Sequence, residues 1–477
     1  MISPTRTAGS PERVAAESYP LSGNRRGRLD GRMVTVAPPP LRAGPAPRAR
    51  RALAQLRSTV ELATDPHRAL PNLYRRFGPV CALGVGPTRN VFLLGAEANR
   101  FVLGNSELFR WREAFDGLVV VDGETALIVS DGPDHQRRRR LVQPAFGRRQ
   151  VEGYARTMRA IADATIDGWR PGQRVDLYQE FRRVIRRATI EVLFGPRLAG
   201  DEPELGRLLQ HALAVVERPP PWQQLQRFGA PSWRRAVDSR ATVAGRVLAE
   251  VELRRRAGAE GDPGRPDVLS RLVEARDEDG SGLSDQEIVD QVISLIAAGY
   301  ETTSAAMAWA SRALLTDRSV WRQARASLDR AVGWRYLDGV VSETLRLHPP
   351  AAISVRMVAE PFRFAGVDVP AGSQLIFSPL VTHRLPEVFD DPLRFEPARW
   401  DPDRPDHRKP GPHEFLPFGG GPHRCLGASF ATTELTVLLE RLLRRVSARL
   451  EPSDTSPVGL AAMRPRSGPF ARILAVS

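Results

Sequence analysis

Phe418-Gly419-Gly420-Gly421-Pro422-His423-Arg424-Cys425-Leu426-Gly427 delivers one cysteine from a glycine-rich loop to the start of a helix. Cysteine sulfur binds metal as the thiolate, and a helix N-terminus flanked by His423 and Arg424 favours that charge, lowering the thiol pKa. Gly419, Gly420 and Gly421 permit positive-φ turns that aim backbone amides at the sulfur. Gly427 would keep the first helical turn clear of a flat ligand. Apolar residues at Ala431, Leu435, Leu438, Leu439, Leu442 and Val446 then form a helical stripe that ties the loop to a core. A lone cysteine is ordinarily a small buried hydrophobe. The glycines and basic residues around this one make it a candidate metal ligand instead.

A second group lies inside a long apolar helix. Ala298-Gly299-Tyr300-Glu301-Thr302-Thr303 puts a glycine, an acid and a hydroxyl where each is costly. Glycine loses about 1 kcal/mol against alanine there, and a buried carboxylate needs a partner or solvent. Either the break faces a pocket, or Thr302 bonds back to the preceding turn. Two more pairs share helical faces: Glu343 with Arg346, and His135 with Arg139 in Asp134-His135-Gln136-Arg137-Arg138-Arg139-Arg140. On a surface the first would be an ion pair worth about 0.5 kcal/mol. The rest of the arginine run reads as a solvated face.

These residues need elements to hold them. Ser284 and Glu287 form a capping box, and apolar residues run from Ile288 past Trp309 to Leu315, a helix of roughly 45 Å. Val91-Phe92-Leu93-Leu94 reads as a short strand before a helix at 96–103. Trp111 to Ser130 reads as a long structured loop, the kind that carries function. Phe362, Phe364, Val367 and Val369 with Pro370-Ala371-Gly372 predict a small sheet within 353–380. Residues 1–45 read as a disordered Pro/Arg-rich tail, leaving 46–477 as a single domain. Arg218-Pro219-Pro220-Pro221 and 258–266 break the helices between.

The 477-residue chain has two cysteines, Cys81 and Cys425, too few for a disulfide scaffold or a four-ligand zinc site. That usage suits the cytoplasm. No run of eighteen apolar residues predicts a membrane span, and no secretory leader is read at the N-terminus. The net charge of +14 is almost all arginine, with Lys409 the one lysine, and it is scattered among acids without aromatic interleaving. Nucleic acid is therefore set aside as a partner. A basic patch for an acidic protein remains.

The Phe-x-x-Gly-x-x-x-Cys-x-Gly spacing resembles the haem-binding loop of the cytochrome P-450 family, and the other groups fall in that family's order over residues 50–477. The resemblance implies a mainly helical fold with a small β-rich region, holding haem b (iron protoporphyrin IX) on Cys425. Phe418, Gly419 and Gly427 would shape the haem seat. His135, Arg139, Arg356 and His423 would hold the propionates; the family more often has arginine in the place of His423. Ala298 and Gly299 would make room for O2, with Thr302 and Glu301 relaying protons to it. Glu343, Arg346 and Arg399, the last from Phe395-Glu396-Pro397-Ala398-Arg399-Trp400, would brace the haem loop. The chain from Trp321 to Glu343 is shorter than usual, so a connecting helix there is trimmed or absent.

The implied activity is monooxygenation of a lipophilic substrate by a monomer. Electrons would come from NAD(P)H through a ferredoxin or flavodoxin and its reductase, docked on the remaining arginines of the run. The resemblance places the pocket lining in 114–129, the helices of 205–235, Ile296, Ala297 and 352–355. A peroxide-driven or non-oxygenating enzyme, or a haem sensor or carrier, are the rival readings. The Glu301–Thr302 pair argues against both.

Overall fold

The computed structural model describes residues 48–84, 90–216, 230–257, 267–330 and 333–477. The expected tail at 1–45 and the breakers at 218–221 and 258–266 lie outside the described residues. In chain order, the helices that matter to the site are α1 (Arg48–Thr64), α2 (Pro66–Phe77), α3 (Val119–Asp122), α4 (Gly132–Val142) and α5 (Arg148–Asp167), followed by α6 (Leu177–Phe194), α7 (Pro231–Ala257), α8 (Asp285–Thr316), α9 (Tyr336–Leu347) and α10 (Ala428–Arg445).

Both halves of the predicted capping box form at the start of α8. Ser284 Oγ accepts from the Glu287 amide at 3.2 Å, and the Glu287 carboxylate accepts from the Ser284 amide at 2.9 Å. From that start α8 runs 32 residues, about 48 Å, through the middle of the helical layer. It packs against α6, α7, α9 and α10. Ile288, Val292, Ile293 and Met307 of α8 share one core with Phe181 and Ile185 of α6 and Leu435, Leu438 and Leu442 of α10. The stripe foreseen after Cys425 is thus what docks α10 on α8.

The larger sheet has five strands, β1 (Val80–Leu83), β2 (Asn90–Leu93), β3 (Phe109–Arg110), β4 (Ser354–Val358) and β5 (Gln374–Phe377), in the order β1-β2-β5-β4-β3. Only β2 and β5 pair in parallel. The predicted strand at 91–94 is β2, and β4 and β5 realise the sheet predicted at 353–380. The Phe362–Phe364 and Val367–Val369 strands form a separate hairpin, turned by Ala365 and Gly366 at φ 49° and 77°. A three-stranded sheet of Arg174–Asp176, Phe470–Val476 and Val446–Glu451 was not foreseen. Between Trp321 and Glu343, helix Arg318–Ala326 is followed by one 3-10 turn, Ser327–Asp329, before α9.

Candidate active site

The cysteine loop is closed on itself. The Cys425 amide donates to Phe418 O at 2.9 Å, and the Arg424 amide to Gly421 O at 3.1 Å. Gly419 and Gly421 sit at φ 65°, where only glycine is unstrained. Gly420 has another reason: a Cβ there would press on Leu103 at 2.8 Å. Gly427 caps α10, and its amide bonds toward Cys425. The cysteine side chain is exposed, yet burial among surrounding protein atoms pushes its thiol up. Both hold for a sulfur facing an internal cleft. The expectation of a depressed thiol is corrected accordingly: the Gly427 amide, Arg139 and Arg424 pull it down, His423 does not, and desolvation outweighs them.

Beside this loop the fold gathers cations. Arg139, on the last turn of α4, donates to Arg424 O at 2.8 Å. His135, one turn earlier, is buried, which pushes its pKa down to about 4, with His423 and Arg139 adding to the effect. The His423 ring lies 4.1 Å from that of His135 and stacks on Trp111 at 4.0 Å and 4°. Its Nε2 is 3.5 Å from the Asp131 carboxylate. The Arg356 guanidinium covers the other part of this group, 3.9 Å from the Trp111 ring centre. Burial brings its pKa down to about 9. Asp131 also accepts from the Trp111 and Arg112 amides at 2.7 and 2.6 Å. These bonds and His423 hold its carboxyl below the usual range against the opposing pull of burial.

Trp111 and Asp131 escaped sequence reasoning. No spacing rule marks them, and only an aromatic between two arginines at 110–112 hinted at a platform. Neither Arg356, which is buried, nor Arg139, which is half-buried, has a carboxylate within ion-pair distance among the described residues, and Asp131 acts on Arg356 only from farther off. Buried cations are normally paired. A cysteine open to a cleft and two unmatched guanidiniums, with His135 and His423 beside them, fit a ligand with a metal at its centre and carboxylates at its edge. Haem answers that description.

On α8, Ala298 is exposed and Thr302 half-buried, while Ile296, Ala297, Tyr300 and Thr303 are buried. The opening therefore runs along the Ala298–Thr302 face. Thr302 Oγ1 donates to Ala298 O at 2.7 Å, the bond-back that the sequence left open. Glu301 points elsewhere: its carboxylate takes Arg182 of α6 in an ion pair, including Nε at 3.0 Å, and the Tyr178 hydroxyl at 3.2 Å. A Cβ on Gly299 would come within 3.3 Å of Thr189 Cγ2, so this glycine lets α6 approach α8. Ile296 and Ala297, expected in the pocket lining, belong to the core or are covered; Ala298 is the residue that looks outward from it.

The loop at 111–130 is pinned to α8. Thr125 donates through its amide and hydroxyl to Asp290 at 2.9 and 2.7 Å, and Gln291 exchanges bonds with the Leu127 amide and Thr125 O at 3.1 and 2.7 Å. Arg240 of α7 pairs with Asp290 and donates to Val121 O at 3.1 Å. Any side chain at Gly123, φ 89°, would overlap Asp290. Asp122 is buried beside this group. Burial, with Asp290 adding, pushes its pKa up to about 7 against Ser294 and Arg240. Of the lining expected at 205–235, residues 217–229 lie outside the described residues.

Glu343 and Arg346 are fully buried, both 0% exposed, and meet as a two-pronged pair at 2.8 and 2.8 Å. Glu343 also accepts from Arg399 Nε at 3.0 Å, Trp400 Nε1 at 2.9 Å and the Glu396 amide at 2.9 Å. Arg346 reaches His383 O and Pro392 O at 2.8 and 2.7 Å. His383 accepts at Nε2 from the Leu416 amide at 2.8 Å, two residues before Phe418. A continuous polar chain thus joins α9 to the cysteine loop. Gly339 keeps α9 close, since a Cβ would overlap Pro397 O.

The arginine run is mostly committed internally. Arg137 bonds Asp277, Glu287 and Gly282 O, and Arg138 bonds Glu287 and Ser130. Arg140 alone of the three is exposed, together with Arg424.

Comparison with known proteins shows which family the chain belongs to. The family model described as Cytochrome P450 matches residues 47–464. The chain is 48% identical over 417 residues to "Putative cytochrome P450 139" of Mycobacterium tuberculosis (strain ATCC 25618 / H37Rv), covering 84% of this chain and 96% of that one. It is 32% identical to pentalenene oxygenase of Streptomyces avermitilis over 81% of this chain and 88% of that one. The fold is similar to that of the retinoic acid-bound cyanobacterial CYP120A1, with a TM-score of 0.75 at 24% identity over 88% and 96% of the two chains. The chain belongs to the cytochrome P450 family. It is an oxidoreductase of the monooxygenase type, and membership in the family implies haem iron as its cofactor. Among the described residues no helix is long and apolar enough to cross a membrane.

Replacing Arg346 by Met removes one of the two guanidiniums that compensate buried Glu343, a loss of about 3–5 kcal/mol. Thermal denaturation and haem content should both fall, whereas Arg335→Met, at a half-exposed pair, should change neither appreciably. The Asp122 carboxyl predicts a pH effect. Its folded pKa of about 7 exceeds the ordinary 3.8, so the folded state holds an extra proton between those values. Its contribution to stability falls as pH rises from about 4 to about 7, then levels. Asp122→Asn should gain on the wild type across that window in melting experiments.

Proposed function

We propose that residues 46–477 form one haem domain that inserts one oxygen atom from O2 into a lipophilic substrate. Two guanidiniums beside Cys425 without an ion-pair partner, buried Arg356 and half-buried Arg139, are the observation that carries this reading. Cys425 Sγ would ligate the iron of haem b after losing its proton. Arg139, Arg356, His135 and His423 would hold the propionates through charge-assisted bonds, with Trp111 fixing two of them by stacking. Phe418, Gly419 and Gly427 would shape the seat. Haem bound by a cysteine thiolate supplies O2 activation and transfer of one oxygen atom to a C–H or C=C bond.

The chain's own work is positioning and proton supply. Ala298, lacking bulk, leaves space on the α8 face, and Gly299 serves helix contact. Thr302 Oγ1 turns from Ala298 O to hold a water. Glu301, freed from Arg182 and Tyr178, collects a proton on the α6 side and passes it to that water. Glu343, Arg346 and Arg399 keep the loop in place. Electrons would come from NAD(P)H through a separate ferredoxin or flavodoxin and its reductase, with exposed Arg140 and Arg424 meeting the acidic partner. A monomer in the cytoplasm fits this reading. The named relative that oxygenates pentalenene supports a lipophilic substrate, as does the apolar cast of 114–129.

Turnover with surrogate redox proteins and isotopically labelled O2 tests the proposal. Product should carry one labelled oxygen atom. Thr302→Ala should lower product formed per NAD(P)H consumed by on the order of a hundredfold while leaving haem content unchanged. Unlabelled product, or equal coupling in the variant, would overturn the assignment.

A further inference from the structure

Leu53, Leu56 and Val60 of α1 are 67%, 63% and 55% exposed. At 100° per residue they fall within about 60° of arc, so they form one apolar line on one side of the helix. The opposite side is already occupied. Ser58 is buried, Leu62 packs against the core between α2 and the sheet, and Gln55 donates to Ala82 O of β1 at 3.1 Å. Packing in this fold therefore leaves the outer line without a partner among the described residues.

The sequence leading into and through α1 is one-sided in charge. From Leu41 to Val60 the sequence has five arginines, at 42, 48, 50, 51 and 57, and no acid. Arg57 is 73% exposed and pairs along the helix with Glu61. The first 57 residues hold eleven arginines against three acids, a formal surplus of eight in a chain whose total is +14. A second copy of the chain is a poor occupant, because a symmetric contact would set this arginine-rich segment against itself. A nucleic acid would meet the arginines and leave the apolar line unused. An anionic bilayer satisfies both, taking leucine and valine into the headgroup–acyl boundary and arginine onto lipid phosphates.

We propose that α1 is an interfacial helix that seats this protein on an anionic lipid surface through Leu53, Leu56 and Val60. This surface is separate from the haem site and does not depend on that reading. The test is sedimentation of the full-length protein with vesicles of phosphatidylcholine plus phosphatidylglycerol, against phosphatidylcholine alone. Wild type should bind the mixed vesicles and bind less as salt is added. Leu53→Ser with Leu56→Ser should weaken binding by about tenfold, with an unchanged melting curve showing that the variant is folded. No binding of wild type to the mixed vesicles would overturn the proposal, as would equal binding of the variant. So would a wild-type dimer in analytical ultracentrifugation that the double variant abolishes.

Discussion

The site rests on one buried carboxylate. Glu343 lies fully out of water and accepts bonds from two guanidiniums, one indole and one backbone amide. An isolated charge so placed would cost several kcal/mol. Because its partners come from α9 itself and from the single segment 396–400, satisfying Glu343 fixes α9 against the turn Pro397–Trp400 and, through Arg346, His383 and Leu416, against the entry to the cysteine loop. A loop made of three successive glycines has little stiffness of its own. Its rigidity is supplied from outside.

On the other side, α8 reconciles two demands. It must pack tightly against α6, which Gly299 and Thr189 permit, and it must open a polar face at Ala298 and Thr302. Adjacent residues divide that work. Thr302 looks toward the opening, whereas Glu301, about 100° round the helix, is tied to Arg182 and Tyr178. The acid is thus held by α6 in this conformation.

Much of this was legible in the sequence because the signals were local. The capping box at Ser284 and Glu287, the stripe after Cys425 and the i,i+3 pair Glu343–Arg346 are set by helical period alone. Non-local partners were not legible. Trp111 meets His423 from more than three hundred residues away, and Arg182 meets Glu301 from more than one hundred. The Cys425 thiol shows the same limit: neighbouring cations could be counted from the sequence, but the desolvation that outweighs them comes from the whole fold. The arginine run misled for a related reason, since a helical wheel cannot show that Asp277 and Glu287 will come to meet Arg137 and Arg138.

The central claim is that Cys425 holds haem iron as its thiolate. The visible spectrum of the dithionite-reduced protein with and without carbon monoxide, beside a Cys425→Ser control, tests it most directly. A strongly red-shifted Soret band in the wild type that the control loses is the expected result. An unshifted band in both proteins, or wild type that binds no haem, would contradict the account.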